Sequence, residues 1–144
     1  MIVATSKNKN FSIPAILIQF YQKTTFSHIL IIDKNLVFQA SNGFVNCMHI
    51  DNFLSNNIIV DQYEIPDDSI DMEFVYSQLG KKYNFIQILQ IVIKYLTGIR
   101  ITFNSKNDRF ICSEFVGKSL RLQWVNDFTT PIDIVKYLKT LKNE

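Results

Sequence analysis

A chain of 144 residues with 47% hydrophobic content, twelve Phe and six Tyr can bury one sizeable core, which excludes a disordered or low-complexity protein. Fifteen Lys and Arg against thirteen Asp and Glu leave a formal charge of +2, too slight a balance to imply a nucleic acid or an anionic membrane as partner. The length suits a single domain over residues 1–144, and no Gly- or Pro-rich linker divides it.

Residues 1–5 form a β-branched run and read as a strand. Ser12 followed by Ile13 and Pro14 is an N-cap with proline in the first turn, opening a helix to about Lys23. Residues 26–32 and 36–40 are two runs rich in Ile, Val and Phe, and Asp33-Lys34-Asn35 between them has the length and composition of a hairpin loop. A third strand is expected over 43–50, then a short helical turn capped by Asp51, then a strand over 57–65; connections this short imply an antiparallel meander. Asp67 or Asp68 is placed to cap a helix ending near Leu79, with Gly80 as its stop. Apolar residues at 85, 86, 88, 89, 92, 93 and 96 keep a helical period that Gly98 closes, and this helix is expected to pack on the sheet. After a polar loop over 104–109, a helix begins near Cys112 and runs to about Gln123. Thr130-Pro131-Ile132-Asp133 opens the last helix, on which Lys136, Lys139 and Lys142 read as a solvated face.

The apolar stretches 13–20 and 86–96 are broken by Gln19, Gln87, Gln90 and Lys94 and fall short of a bilayer span. The first ten residues lack a basic segment followed by an apolar one, so the chain reads as cytoplasmic, a pattern that phage- or virion-associated proteins share. Cys47 and Cys112 are then expected as free thiols. Cys47 and His49 share one face of a strand, but two ligands without two more are not a zinc site, and they read as structural. No metal or organic cofactor is expected.

Cys112 stands where a helix should begin, and the positive end of a helix favours a thiolate. Of the two histidines, His28 is the better general base, because a strand holds its imidazole rigidly. Gln39, 11 positions on and across the hairpin, is the candidate to orient that ring. Each residue also has a purely structural reading: a buried thiol, a histidine satisfied by a carbonyl, an ordinary strand glutamine. Glu114 reads as a charge favoured by the helix start.

Phe110-Ile111-Cys112-Ser113-Glu114-Phe115-Val116 resembles the nucleophile segment of the circularly permuted NlpC-like, YiiX-type cysteine hydrolases, in which Cys-Ser-Glu opens a helix after a strand end. Phe26-Ser27-His28-Ile29-Leu30-Ile31-Ile32 is similar to their histidine strand, and Val37-Phe38-Gln39-Ala40 to the strand bearing their third polar residue, with Gly43-Phe44-Val45 like the turn after it. Leu79-Gly80-Lys81-Lys82-Tyr83-Asn84-Phe85 is similar to their Gly-x-x-Tyr-Asp-Phe stretch, and Thr130-Pro131-Ile132-Asp133 to their late helix start. The histidine precedes the cysteine, which is the permuted order, and the matches span residues 26–133.

The resemblance implies an α+β, circularly permuted papain-like domain whose antiparallel, partly barrelled sheet carries His28 and Gln39 and whose packed helix presents Cys112. It implies a thioester acyl-enzyme formed from an amide or ester: a peptide, a peptidoglycan fragment, or a lipid or acyl-amino acid as in acyltransferase relatives. Tyr83 and Ser113 are expected to line the substrate site. Gln39 stands where such proteins often carry Glu, and Asn84 where they carry Asp. The first change also suits a catalytically silent module that binds a peptide or protein partner, since a neutral amide cannot stabilise an imidazolium by charge.

Overall fold

A computed structural model of the chain describes residues 1–10, 13–102 and 109–141; Ser12, Lys142 and residues 104–108 of the expected polar loop lie outside the described residues. Hairpins make the centre of the sheet. β2 (His28–Asp33) and β3 (Leu36–Ser41) pair with Asp33 opposite Leu36, across a two-residue turn in which Lys34 takes φ 53°. β3 and β4 (Phe44–His49) are joined by Asn42-Gly43, with φ 51° and 95°, the left-handed pair that a tight hairpin matched to strand twist requires. β1 (Ile2–Asn8) pairs antiparallel with β2 on one side and β5 (Asn57–Glu64) on the other, with a bulge between Thr5 and Ser6.

Two short strands extend the other edge, β6 (Lys82–Tyr83) antiparallel to β4 and β7 (Arg109–Phe110) parallel to β6. The order β5-β1-β2-β3-β4-β6-β7 is therefore a curled mixed sheet, a half-barrel, with packed helices. The expected wholly antiparallel sheet is corrected at this edge, where a helix-bearing connection separates β6 from β7 as parallel pairing demands.

Strand alternation divides the core in two. Val3, Ile29, Ile31, Phe38, Ala40 and Val45 face one layer, which Phe115 and Val116 of α5 (Cys112–Ser119) complete with Ile134, Val135 and Leu138 of α6 (Pro131–Leu141). Ala4, Leu30, Ile32 and Val37 face the other and are capped by Phe53 of α2 (Ile50–Asn56). Apolar burial of this kind is worth roughly 25 cal/mol per Å² and fixes strand register, because a one-residue slip would exchange the faces.

Several helix ends differ from expectation. His49, not Asp51, caps α2, its Nδ1 accepting from the Asp51 N–H at 3.3 Å. Asp67–Ser69 is a single 3₁₀ turn, and α3 (Met72–Ser77) begins instead at Asp71, whose carboxylate accepts from the Phe74 N–H at 2.9 Å. α5 stops at Ser119 rather than near Gln123, because Arg121 turns left-handed at φ 56° and the Leu122 N–H folds back to the Gly117 carbonyl at 3.0 Å. α6 begins as expected, with Asp133 Oδ2 accepting from the Thr130 N–H and hydroxyl at 2.9 and 2.7 Å.

α1 (Ile13–Gln22) and α4 (Phe85–Thr97) lie side by side. The apolar stripe of α4 does not pack on the sheet as expected. Its buried side is Gln87, Gln90 and Ile91, held by bonds from Asn84 Nδ2 to Gln87 Oε1 (3.0 Å) and from Gln87 Nε2 to the Asp127 carbonyl (3.1 Å).

Gly117 is buried where α5 meets Val125 and Ile134; a Cβ there would lie 2.4 Å from Val125 Cγ2 and 3.1 Å from Ile134 Cδ1. Gly117→Ala is expected to destabilise the protein by about 1–3 kcal/mol in urea unfolding, the usual cost of overpacking, despite alanine's better helix propensity. An unchanged or raised midpoint would show that α5 can shift freely on the sheet.

Candidate active site

His28 opens β2, directly before its buried run over Ile29–Ile32, and Gln39 lies on β3. The pairing of Ile31 with Phe38 makes them diagonal neighbours on one face, and His28 Nε2 lies 2.8 Å from Gln39 Oε1. Gln39 is buried and faces Asn46 directly across β3 and β4, donating from Nε2 to Asn46 Oδ1 at 3.3 Å and towards Met48 Sδ at 3.9 Å.

This row of side chains fixes a proton. Asn46 Nδ2 donates to the carbonyls of Ser41 and Phe44, both at 3.3 Å, which only an N–H can do. Its Oδ1 must then face Gln39 Nε2, and Gln39 Oε1 must face His28. A carbonyl oxygen only accepts, so His28 Nε2 carries the hydrogen and Nδ1 keeps the lone pair needed by a general base. Burial holds the His28 pKa down at about 4, partly offset by the Gln39 bond, so the ring is neutral at pH 7.

Asn46 joins the site through the β3–β4 register, which sets it opposite Gln39. Asn46→Ala is expected to release the Gln39 amide and give a mixture of His28 tautomers in the ring ¹⁵N chemical shifts. The loss of two part-buried side-chain bonds and one exposed bond should cost about 1–3 kcal/mol of stability. A ring that stays wholly Nε2-protonated would show that another group sets the tautomer.

Cys112 is the first residue of α5, with Ile111 as the N-cap, and is only 5% exposed. Burial pushes its thiol up to about 11, and the neighbouring backbone N–H groups of Ile29, Ser113 and Cys112 itself, which favour the thiolate, offset only part of this. Ile29 follows His28 directly, so the sulfur rests against the backbone of the histidine strand. No hydrogen bond joins sulfur and imidazole: the ring's bonded partner is Gln39. The resting groups are thus a neutral thiol and a neutral imidazole.

A cleft of about 460 Å³ is lined by His28, Gln39, Ser41, Tyr83, Phe85 and Ile88, and a narrower slot lined by Ser27, Ile88, Ile91, Cys112 and Ser113 adjoins it along shared walls at Ile18, Ser27 and Ile88. The cleft's volume suits a small ligand. Tyr83 lies close enough to Cys112 for a thiolate there to raise its pKa, after the larger effect of its own burial, and its ring packs on Phe85 at 4.9 Å. Ser113 lines the slot but is fully buried, its hydroxyl donating to the Thr129 carbonyl at 2.6 Å, which ties α5 to the approach of α6. Ser6 opposite His28, and Ser41 in the cleft, carry buried hydroxyls with no partner among the described residues. A larger open hollow of about 630 Å³ between Lys94, Arg100, Trp124 and Asp133 contains neither Cys112 nor His28.

Glu114 is buried beside Lys118, 2.7 Å away, as a structural ion pair over the ring of Phe110. Asn84 caps α4, its Oδ1 accepting from the Gln87 N–H at 3.2 Å. Both cysteines are free, and among the described residues no three His, Cys, Asp or Glu gather as metal ligands. No described helix is long and apolar enough to cross a membrane. No protein-family model and no curated protein matches this chain.

Proposed function

We propose that the protein is a cysteine-dependent hydrolase or acyltransferase of circularly permuted papain-like design, acting on an amide or ester. The reading is supported above all by a helix-start cysteine whose sulfur meets the N–H beside a histidine that has its tautomer set and its Nδ1 free. In the reaction, Cys112 sulfur attacks the substrate carbonyl as its proton passes to His28. The carbonyl oxygen becomes an oxyanion, for which the Cys112 backbone N–H at the start of α5 is a suitable donor. Collapse breaks the bond to the amine or alcohol, which leaves with the proton from His28, and the acyl group remains on sulfur as a thioester. Water, or a second acceptor in a transferase, attacks the thioester and regenerates the thiol. Gln39 holds the ring throughout, and Tyr83 borders the acyl or leaving group.

The second reading, a silent papain-like module that binds a peptide or partner, is favoured by the neutral Gln39 and by the high thiol pKa. The two separate in one experiment: incubation with p-nitrophenyl esters and thiol-directed acyl probes, followed by intact-mass and peptide mapping. A single acyl adduct on Cys112, with turnover, supports the enzyme. A protein left unmodified by every probe supports the module.

A further inference from the structure

α4 is inside out. Gln87 and Gln90 are fully buried, whereas Phe85, Leu89 and Leu96 are 64%, 53% and 62% exposed, and Ile99 just beyond the helix is 60% exposed. α1, packed beside it, adds Ile16 and Phe20 on its outer side. An ordinary surface helix turns its apolar stripe inward, so this arrangement marks a face that meets something apolar.

The charge around that face chooses the occupant. In sequence, segments 1–32 and 74–107 hold eight Lys and Arg and no Asp or Glu, against seven and thirteen elsewhere; of these, Lys23 directly follows α1 and Lys81 and Lys82 lie just before α4, while Lys94 and Arg100 share a hollow with Asp127 and Asp133. The formal +2 of the whole chain therefore conceals a basic part and an acidic part. A second copy docked on the same face would oppose two sets of lysines. Exposed apolar side chains among flexible cations instead suit the boundary between acyl chains and anionic headgroups.

We propose that the outer face of α1 and α4 docks on an anionic lipid bilayer. α4 also forms a wall of both the cleft and the slot that reaches Cys112, through Ile88, Ile91 and Val92, so docking would bring the candidate site to the membrane surface. The docking does not depend on Cys112 chemistry.

The test is co-sedimentation of the full chain with phosphatidylcholine vesicles, with and without 30% phosphatidylglycerol, at about 0.05 and 0.5 M NaCl, spanning strong to nearly complete screening of surface charge. Expected is binding to the anionic vesicles that falls at least tenfold in high salt, in Leu89→Ser/Leu96→Ser and, as a second route that spares the apolar face, in Lys23→Glu/Lys82→Glu. Cys112→Ala should sediment like the wild type, which separates docking from catalysis. No vesicle binding overturns the proposal, as does binding indifferent to both double variants. A protein that instead elutes as a dimer, converted to monomer by Leu89→Ser/Leu96→Ser, overturns it in favour of self-association.

Discussion

Cys112→Ala is expected to abolish both the acyl adduct and turnover, and His28→Ala to lower kcat/KM by about 10²–10⁴, the usual range for a positioned general base. The resting geometry explains why His28 should matter so much. With the thiol near 11 and the ring near 4, almost no thiolate–imidazolium pair exists before substrate arrives. Burial desolvates both charged forms, and Gln39, unlike a carboxylate, adds no charge to stabilise an imidazolium. On the proposed mechanism the sulfur would therefore lose its proton as it attacks, with His28 receiving it in the same event. Iodoacetamide alkylation gives an independent reading. In a Cys47→Ser background Cys112 should react slowly at pH 7 and accelerate towards pH 11, since only the thiolate is nucleophilic. Fast alkylation at pH 7 that disappears in His28→Ala would instead reveal a preformed ion pair and overturn the neutral resting state.

Much of this arrangement was legible in local sequence. The β2–β3 hairpin and the placing of His28 and Gln39 on paired strands follow from runs of Ile, Val and Phe about a short polar turn. The start of α6 follows from capping chemistry, the helix over Phe85–Thr97 closed by Gly98 from its period, and the start of α5 from the apolar run after a polar loop, since its N-cap Ile111 makes no side-chain cap. What failed was long-range. The 3.6-residue period of α4 locates a stripe but not the side buried, and here Asn84 and the Asp127 carbonyl satisfy Gln87 and draw the polar side inward. β6 and β7 are two residues each, too short to show a pattern, and their parallel pairing joins segments on either side of α4. Asn46 was within reach. Once Asn42-Gly43 is recognised as a two-residue turn, Ser41 must oppose Phe44, Ala40 Val45, and Gln39 Asn46. Reading 43–50 only as a third strand missed that signal.

The pH dependence of stability tests the same two residues without any substrate. The His28 pKa is depressed from 6.5 to about 4, so between these values the unfolded chain binds a proton that the folded chain refuses. Stability is then fully present above pH 6.5 and falls as pH drops towards 4. The shift corresponds to about 3 kcal/mol, reduced to roughly 2–3 by screening of a half-buried ring. Cys112 behaves oppositely at the other end. Its pKa is raised from 9.0 to about 11, so stability present below pH 9 is lost as pH rises through 11, by about 2–3 kcal/mol. The depressed carboxylates Asp67 and Asp71 titrate below their ordinary 3.8, outside the histidine window. Urea midpoints should thus form a plateau between about pH 6.5 and 9 with a shoulder falling on each side. His28→Asn should flatten the limb between pH 6.5 and 4 and leave the alkaline limb, whereas Cys112→Ser, in a Cys47→Ser background that removes the other thiol raised by burial, should flatten the alkaline limb between pH 9 and 10, before Tyr63 and Tyr83, also raised by burial, contribute. An acid limb that survives intact in His28→Asn would mean that the ring is hydrated and free to charge. That result would remove the physical basis for a neutral, Nδ1-basic histidine at this site.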